Sequence, residues 1–138
     1  MKALSIRQPW AWCILHAGKR IENRNWPTNF LGPIYLHASK GMTRAEYEEG
    51  LDLCHAIGRK QLLPEGPTMP SIKELPRGGI VGRARIVDCV ASHAWLSDDV
   101  EPWFFGPYGF LLDDVEPLPF YPCKGARGFF EAEYPEAR

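Results

Sequence analysis

Residues 4–24 read LSIRQPWAWCILHAGKRIENR, and the reading of the fold turns on this stretch. Ala3–Ile6 is a short apolar opening, followed by Gln8-Pro9-Trp10, where Pro9 suits the first helical position because its missing N–H is one of the helix's unpaired donors anyway. Trp10, Ile14 and Ala17 recur at spacings of four and three and so share one helical face. Gly18 ends that helix as a left-handed cap residue does. Lys19–Trp26 then mixes charge with Ile21 and Trp26 ahead of Pro27, the pattern of a strand or extended arm.

Outward from this stretch, Gly32-Pro33 marks a turn, and Ile34-Tyr35-Leu36-His37-Ala38 alternates as a strand with Ile34 and Leu36 inward. Thr43 and Glu46 form a capping box ahead of a second helix, whose face is Tyr47, Leu51, Cys54 and Ile57 and whose expected end is Gly58. The two helices are thus expected near 9–17 and 43–57. Residues 59–77 contain Pro64, Gly66, Pro67, Pro70 and Pro76 and read as a long irregular connection. Gly78-Gly79 opens the best strand, Ile80 to Val90, with Ile80, Gly82, Ala84 and Ile86 on one face and Val81, Arg83, Arg85 and Val87 on the other. Three short strands are expected at Tyr108–Leu112, Leu118–Tyr121 and Gly128–Ala132. A helix spent early and strands running to the end give an α+β chain. The expected fold is a small, mixed but mostly antiparallel β-barrel of five or six strands with two main helices, in one domain over 1–138.

Composition narrows the function classes. The chain has 138 residues, 45% apolar and 24% charged, the balance of an ordinary globular domain. No apolar run approaches the ~20 residues of a membrane span, and the N-terminal stretch lacks a signal-peptide core, so a cytoplasmic protein without a membrane partner is expected. The four cysteines, at 13, 54, 89 and 123, show no metal-ligand spacing and read as buried or half-buried thiols, with neither metal nor cofactor expected. Net charge is −1, whereas long nucleic acid is held through a basic excess. Any contact with nucleic acid is therefore expected to be local: one pocket, one base, a few phosphates.

The opening Leu4-Ser5-Ile6-Arg7-Gln8-Pro9-Trp10, together with Gly18-Lys19-Arg20-Ile21-Glu22-Asn23-Arg24, resembles the signature of the ASCH family. That family carries Gly-x-Lys-x-x-Glu-x-Arg after its first helix. Lys19, Glu22 and Arg24 match it, while the glycine position falls on Ala17, with Gly18 one place later. The resemblance continues through 32–39, 79–89 and Lys124-Gly125-x-x-Gly128-Phe129-Phe130. It implies a PUA-like barrel that recognises RNA or a modified base in a surface cleft. Known members include RNA-binding domains, small hydrolases that deacylate a modified cytidine, and a ribonuclease. The amidohydrolases carry a hydroxyl residue where this chain has Glu22, a departure from their pattern.

The residues set the candidate chemistry. Lys19, directly after a helix-ending glycine, is placed where partial desolvation lowers an amine's pKa, and the resemblance gives it the position of the hydrolases' catalytic lysine. Such an amine serves as nucleophile or general base; the plain alternative is a phosphate-binding ammonium or an ion pair with Glu22. Glu22 and Arg24 share a face if the segment is a strand, whereas Lys19 joins them only if the chain bends after Gly18. Trp10, Trp12 and Trp26 flank the motif as base stacking requires; Trp10 is expected to line the cleft, Trp12 to cap the surface and Trp26 to pack. His37 and Ser39 supply polar groups at a strand end, and Arg83 and Arg85 with Lys124 and Arg127 are candidates for a small basic patch. Tyr108 and Lys124 fall at positions that the resemblance makes notable. No Gly-x-Ser-x-Gly elbow or phosphate-cradling loop is present. The ligand-contact candidates are therefore Trp10, Lys19, Glu22, Arg24, Trp26, His37, Ser39, Arg83, Tyr108 and Lys124, with Lys19 and Glu22 catalytic if the chain is an enzyme.

Three functions follow from these residues. One is a module that binds RNA or a nucleoside. The second is a hydrolase acting on a modified nucleoside or on RNA. The third is an interaction protein using Trp103, Phe104 and Phe105, loop aromatics that equally suit a lid or the core. The first is favoured, because the matched motif identifies a pocket and not a reaction.

Overall fold

The structure is a computed structural model and describes residues 1–60 and 68–135. In chain order the elements are β1 (Lys2–Ile6), α1 (Trp10–His16), β2 (Ile21–Arg24), β3 (Gly32–Ala38), α2 (Arg44–Lys60), β4 (Gly79–Val90), a 3-10 turn (Glu101–Trp103), β5 (Tyr108–Pro122) and β6 (Phe129–Glu131). The strands form one six-stranded sheet in the order β2-β5-β4-β3-β1-β6, antiparallel except for the β1–β3 pair. The sheet curls into a half-barrel whose edges, β2 and β6, do not pair with each other. Of the expected 59–77 connection, Pro64, Gly66 and Pro67 lie outside the described residues. No helix among the described residues is long and apolar enough to cross a membrane.

Two apolar clusters hold the elements together. The first fills the curl of the sheet with Leu4, Ile6, Ile34, Leu36, Ala84, Ile86 and Phe110, closed by Ala11 and Ile14 of α1. The second lies on the other side of α1, where Trp12, Cys13, Ile21, Ile57, Met69, Leu75, Trp103 and Phe104 meet. α1 is therefore buried on two faces. This corrects the expected place of Trp12, which is only 8% exposed because α2 and the 3-10 turn cover it. β4 passes close beneath α1 at Gly82, where a Cβ would stand 2.4 Å from Leu15 Cδ2 and 2.8 Å from the Glu116 carbonyl oxygen. Any side chain there must displace the Leu15 side chain and press on the β5 backbone at Glu116.

The second half of the chain departs from expectation. The segments read as separate strands at 108–112 and 118–121 form one long strand, β5, paired along β4 through three register shifts. Three prolines (Pro117, Pro119, Pro122) survive inside it because β2 pairs only with Tyr108–Leu111, so that among the described residues no strand pairs with the other edge of the far half of β5. Helix α2 also runs past Gly58 to Lys60.

The start of α2 is tied to the first loop by charge. Thr43 and Glu46 exchange capping-box hydrogen bonds at 2.9 and 3.1 Å, and Arg7 grips the same Glu46 carboxylate bidentately, Nε–H at 2.8 Å and Nη2–H at 2.6 Å. The Arg7 guanidinium, more than any other group, holds the Glu46 carboxyl down to about 2. Because the folded value is depressed, this stabilisation is complete above the unfolded value of ~4.3 and fades as pH falls toward about 2. Glu46→Gln is expected to cost about 1 kcal/mol at pH 7, the exposed setting screening the pair, with the difference from wild type closing near pH 2 to 3. Urea titrations at pH 7 and pH 3 measure it; an equal deficit at both pH values would exclude the carboxylate as its source.

Candidate functional site

The Lys19-x-x-Glu22-x-Arg24 segment is shaped by how α1 ends. Gly18 adopts φ +76°, the left-handed conformation that L side chains rarely take. The Cys13 carbonyl accepts the Ala17 N–H at 2.9 Å and the Lys19 N–H at 3.2 Å, while Arg20 Nη1–H reaches the Ile14 carbonyl at 2.6 Å. The last carbonyls of the helix are thereby satisfied and the chain turns sharply into β2. This is the bend that brings Lys19 to the same side as Glu22, which a continuous strand would forbid.

Lys19 is 2% exposed. Its Nζ donates to the Ile21 carbonyl at 2.5 Å, stands 3.5 Å from Glu22 Oε1, and lies 6.0 Å from the centre of the Trp10 ring. Burial lowers the Lys19 pKa from its ordinary value, opposed chiefly by the Glu22 carboxylate. Glu22, 7% exposed, is shared: its Oε2 accepts from Arg24 Nε–H at 3.1 Å, with Nη2 3.0 Å away. The three charges form a partly buried chain, cation–anion–cation, with one positive charge in excess.

Arg24 also spans the open seam of the half-barrel. The Ile6 carbonyl points to β3 and takes the Ser39 N–H at 3.0 Å, so the Ser5 carbonyl, one residue earlier, points the other way. β6 covers β1 only over Lys2–Leu4. The Ser5 oxygen is therefore left without a ladder partner and takes Arg24 Nη2–H at 2.5 Å. Trp26 bridges the same seam, edge-on to Phe110 at 5.3 Å and to Phe129 at 5.6 Å, with the Arg24 guanidinium 5.8 Å from its ring.

An open cleft of about 470 Å³ lies over this seam, lined by Ser5, Arg7, Trp10, Lys19, Glu22, Asn23, Arg24, Asn25, Trp26, Glu49 and Phe105. Of the candidates read from the sequence, the structure brings together Trp10, Lys19, Glu22, Arg24 and Trp26. The other five do not line the cleft. His37 is 2% exposed, held between the Ser5 hydroxyl at 3.0 Å and the Cys123 carbonyl at 2.8 Å. The carbonyl can only accept, so His37 Nε2–H donates to it. Ser39 continues the β1–β3 ladder, Tyr108 stands opposite Arg24 in the β2–β5 register, and Lys124 is exposed beyond β5. Arg83 pairs with Glu116 at 2.6 Å and Arg85 with Asp114 at 3.6 Å, so the expected basic patch on β4 is neutralised by the neighbouring strand.

Sequence reading missed Asn23, Asn25 and Glu49 in the cleft wall, along with Ser5 and Arg7, and singled out Phe105 only as a loop aromatic. Asn23 sits inside the motif, and its place between Glu22 and Arg24 was the available signal. No group of His, Cys, Asp and Glu among the described residues is arranged to hold a metal ion. Cys13 is buried and the other three cysteines half-buried; the Cys13 and Cys54 sulfurs lie 3.4 Å apart, a contact that pushes the Cys13 thiol pKa up, as does its burial.

Comparison with known proteins places this geometry. The ASCH domain profile matches residues 4–118. Activating signal cointegrator 1 of Homo sapiens is 22% identical over 125 residues, 88% of this chain but 20% of that protein, so the chain spans about a fifth of its length. Among solved structures, the ASCH protein of Zymomonas mobilis superposes with a TM-score of 0.52 at 15% identity, covering 96% of this chain and 87% of that one. A mutant of the same protein gives 0.51 at 14% identity, covering 96% and 89%. These two structures share the fold, and the profile spans most of the residues that build the sheet and the cleft. This chain belongs to the ASCH domain family.

Proposed function

We propose that this chain is an RNA-recognition domain that takes one unpaired base and its phosphate into the cleft at the barrel seam. The observation that carries the reading is the convergence of Lys19, Glu22 and Arg24 between the rings of Trp10 and Trp26. Indole faces provide stacking, which tolerates any base. The excess positive charge suits a single phosphate, and the Glu22 carboxylate accepts N–H groups of a base edge. Membership of the ASCH family, and the RNA association that the sequence resemblance carries, supports the same substrate class.

Salt dependence tests the scale of the contact. Arg7 is occupied by Glu46, and Lys19 and Arg24 share the single Glu22 carboxylate, leaving one net positive charge for phosphate. With one or two phosphates neutralised at ~0.7 each, log affinity for single-stranded RNA is expected to fall with log salt at a slope near −1. Fluorescence titration from 50 to 300 mM salt gives the slope, and a value steeper than about −3 would require a basic groove elsewhere. Arg24→Leu is expected to weaken binding about tenfold.

A second reading, hydrolysis of an acylated cytidine or of RNA, is favoured by one specific observation: burial lowers the Lys19 pKa and so raises the share of neutral amine beside a carboxylate. Chromatography of acylated cytidines and short RNAs incubated with the protein separates the two. Turnover by wild type that disappears in Lys19→Met, with binding retained, would move the assignment from binder to enzyme.

A further inference from the structure

Phe105 differs from the aromatic residues that precede it. Trp103 and Phe104 are 1% and 4% exposed and anchor the second apolar cluster, whereas Phe105 is 60% exposed on the rim of the cleft. Its backbone is held from both sides. Asn23 Oδ1 accepts the Phe105 N–H at 2.9 Å and the Gly106 N–H at 3.3 Å, and Asn23 Nδ2 donates to the Trp103 carbonyl at 3.0 Å. Both ends of the Asn23 carboxamide are thus spent on this loop, although the residue lies within the charged motif.

The result is a large apolar ring carried in solvent on a fixed backbone. A ring on a loose loop samples many positions and loses entropy when it stacks; one whose backbone is held by three hydrogen bonds and two buried neighbours has already lost the loop's share of that freedom. Among the described residues no other ring packs on it, while Trp10 and Trp26, which line the same cleft, are half-buried by core contacts. The pinning also rules against a swinging lid, because Phe105 cannot move without breaking the Asn23 bonds or extracting Trp103.

We propose that Phe105 is a stacking platform for a second unpaired base, positioned by Asn23, and that the ligand is therefore a single-stranded segment of two or more nucleotides and not a free nucleoside. This rests on the reading of the cleft as a nucleobase site. One base enters between Trp10 and Trp26, its phosphate meets Arg24, and the neighbouring base lies on Phe105.

The test compares affinities for nucleoside monophosphates with those for the matching dinucleotides and for a single-stranded hexanucleotide RNA. Wild type is expected to prefer dinucleotide over mononucleotide by roughly 5- to 140-fold, the range of one stacked base. Phe105→Ala is expected to remove that preference, with a larger loss for the dinucleotide than for the mononucleotide. Phe105→Trp restores it, and Phe105→Leu, which keeps apolar bulk without a π-face, does not. Asn23→Ala leaves the ring in place but unpinned and is expected to reduce the dinucleotide-to-mononucleotide ratio severalfold, a ratio that general destabilisation does not move. If Phe105→Ala lowers both affinities equally, or leaves the ratio intact, the platform is wrong and the cleft reading stands. If wild type binds mononucleotide and dinucleotide equally, the same conclusion holds. If wild type binds none of them, the cleft reading itself falls and takes the platform with it.

Discussion

Glu22→Gln is expected to lower the unfolding free energy by about 3 kcal/mol at pH 7, with a deficit that shrinks as pH rises toward 10. The substitution keeps the shape and removes only the charge between two cations, one of them, Lys19, 2% exposed. An unpaired ammonium at that depth gives up its proton, because burial already lowers its pKa and the carboxylate was the main opposing influence. The folded variant then binds fewer protons than the unfolded chain between its own lowered Lys19 value and the ordinary lysine value of ~10.4. Stability accordingly rises with pH through that window and levels off above it. Lys19→Met is expected to be milder, about half as large, since Glu22 keeps Arg24. Urea unfolding at pH 7, 8.5 and 10 reads both variants. A Glu22→Gln deficit that stays constant across this range would mean that Lys19 remains charged without its partner.

The parts of this arrangement that could be read in advance are those governed by local chemistry. The Thr43–Glu46 box needs only a spacing of three, and Gly18 needs only a helix that stops before it; both stand where the sequence places them. Glu22 and Arg24 share a face because they are two apart on a strand. The parts that could not be read depend on partners far along the chain. Arg83 and Arg85 look like free cations until β5 folds back against β4 and sets Glu116 and Asp114 beside them. His37 looks like a rim residue until the segment after β5 lays the Cys123 carbonyl over it. The prolines of β5 argued for breaks because nothing local reveals that one edge of the strand is open. Trp103, Phe104 and Phe105 are indistinguishable by type, and only the packing decides that two anchor the loop and one is presented to solvent.

The same non-local packing gives the other large expected effect. Trp103→Ala is expected to cost about 3–5 kcal/mol, because Trp103 is the largest of the fully buried side chains and the cavity left behind closes only in part. At this chain length that corresponds to a loss of roughly 10–15 °C in Tm. The damage should not spread evenly. Trp103 belongs to the cluster that joins α1, α2 and the loop before β5, whereas the β3–β4–β5 sheet is packed on the other cluster. Native-state hydrogen exchange in the variant is therefore expected to show the amides of α2 and of residues 101–106 opening first, while those of β4 stay protected up to the global transition. Asn23 feels the change too, since its Nδ2 donates to the Trp103 carbonyl and its Oδ1 holds the two residues that carry Phe105. Trp103→Phe retains a ring in the cluster and is expected to recover at least half of the loss. A Trp103→Ala protein that melts within 3 °C of wild type, or whose α2 and β4 amides lose protection together, would mean that the two clusters act as one core and that the rim of the cleft is not an independently anchored element.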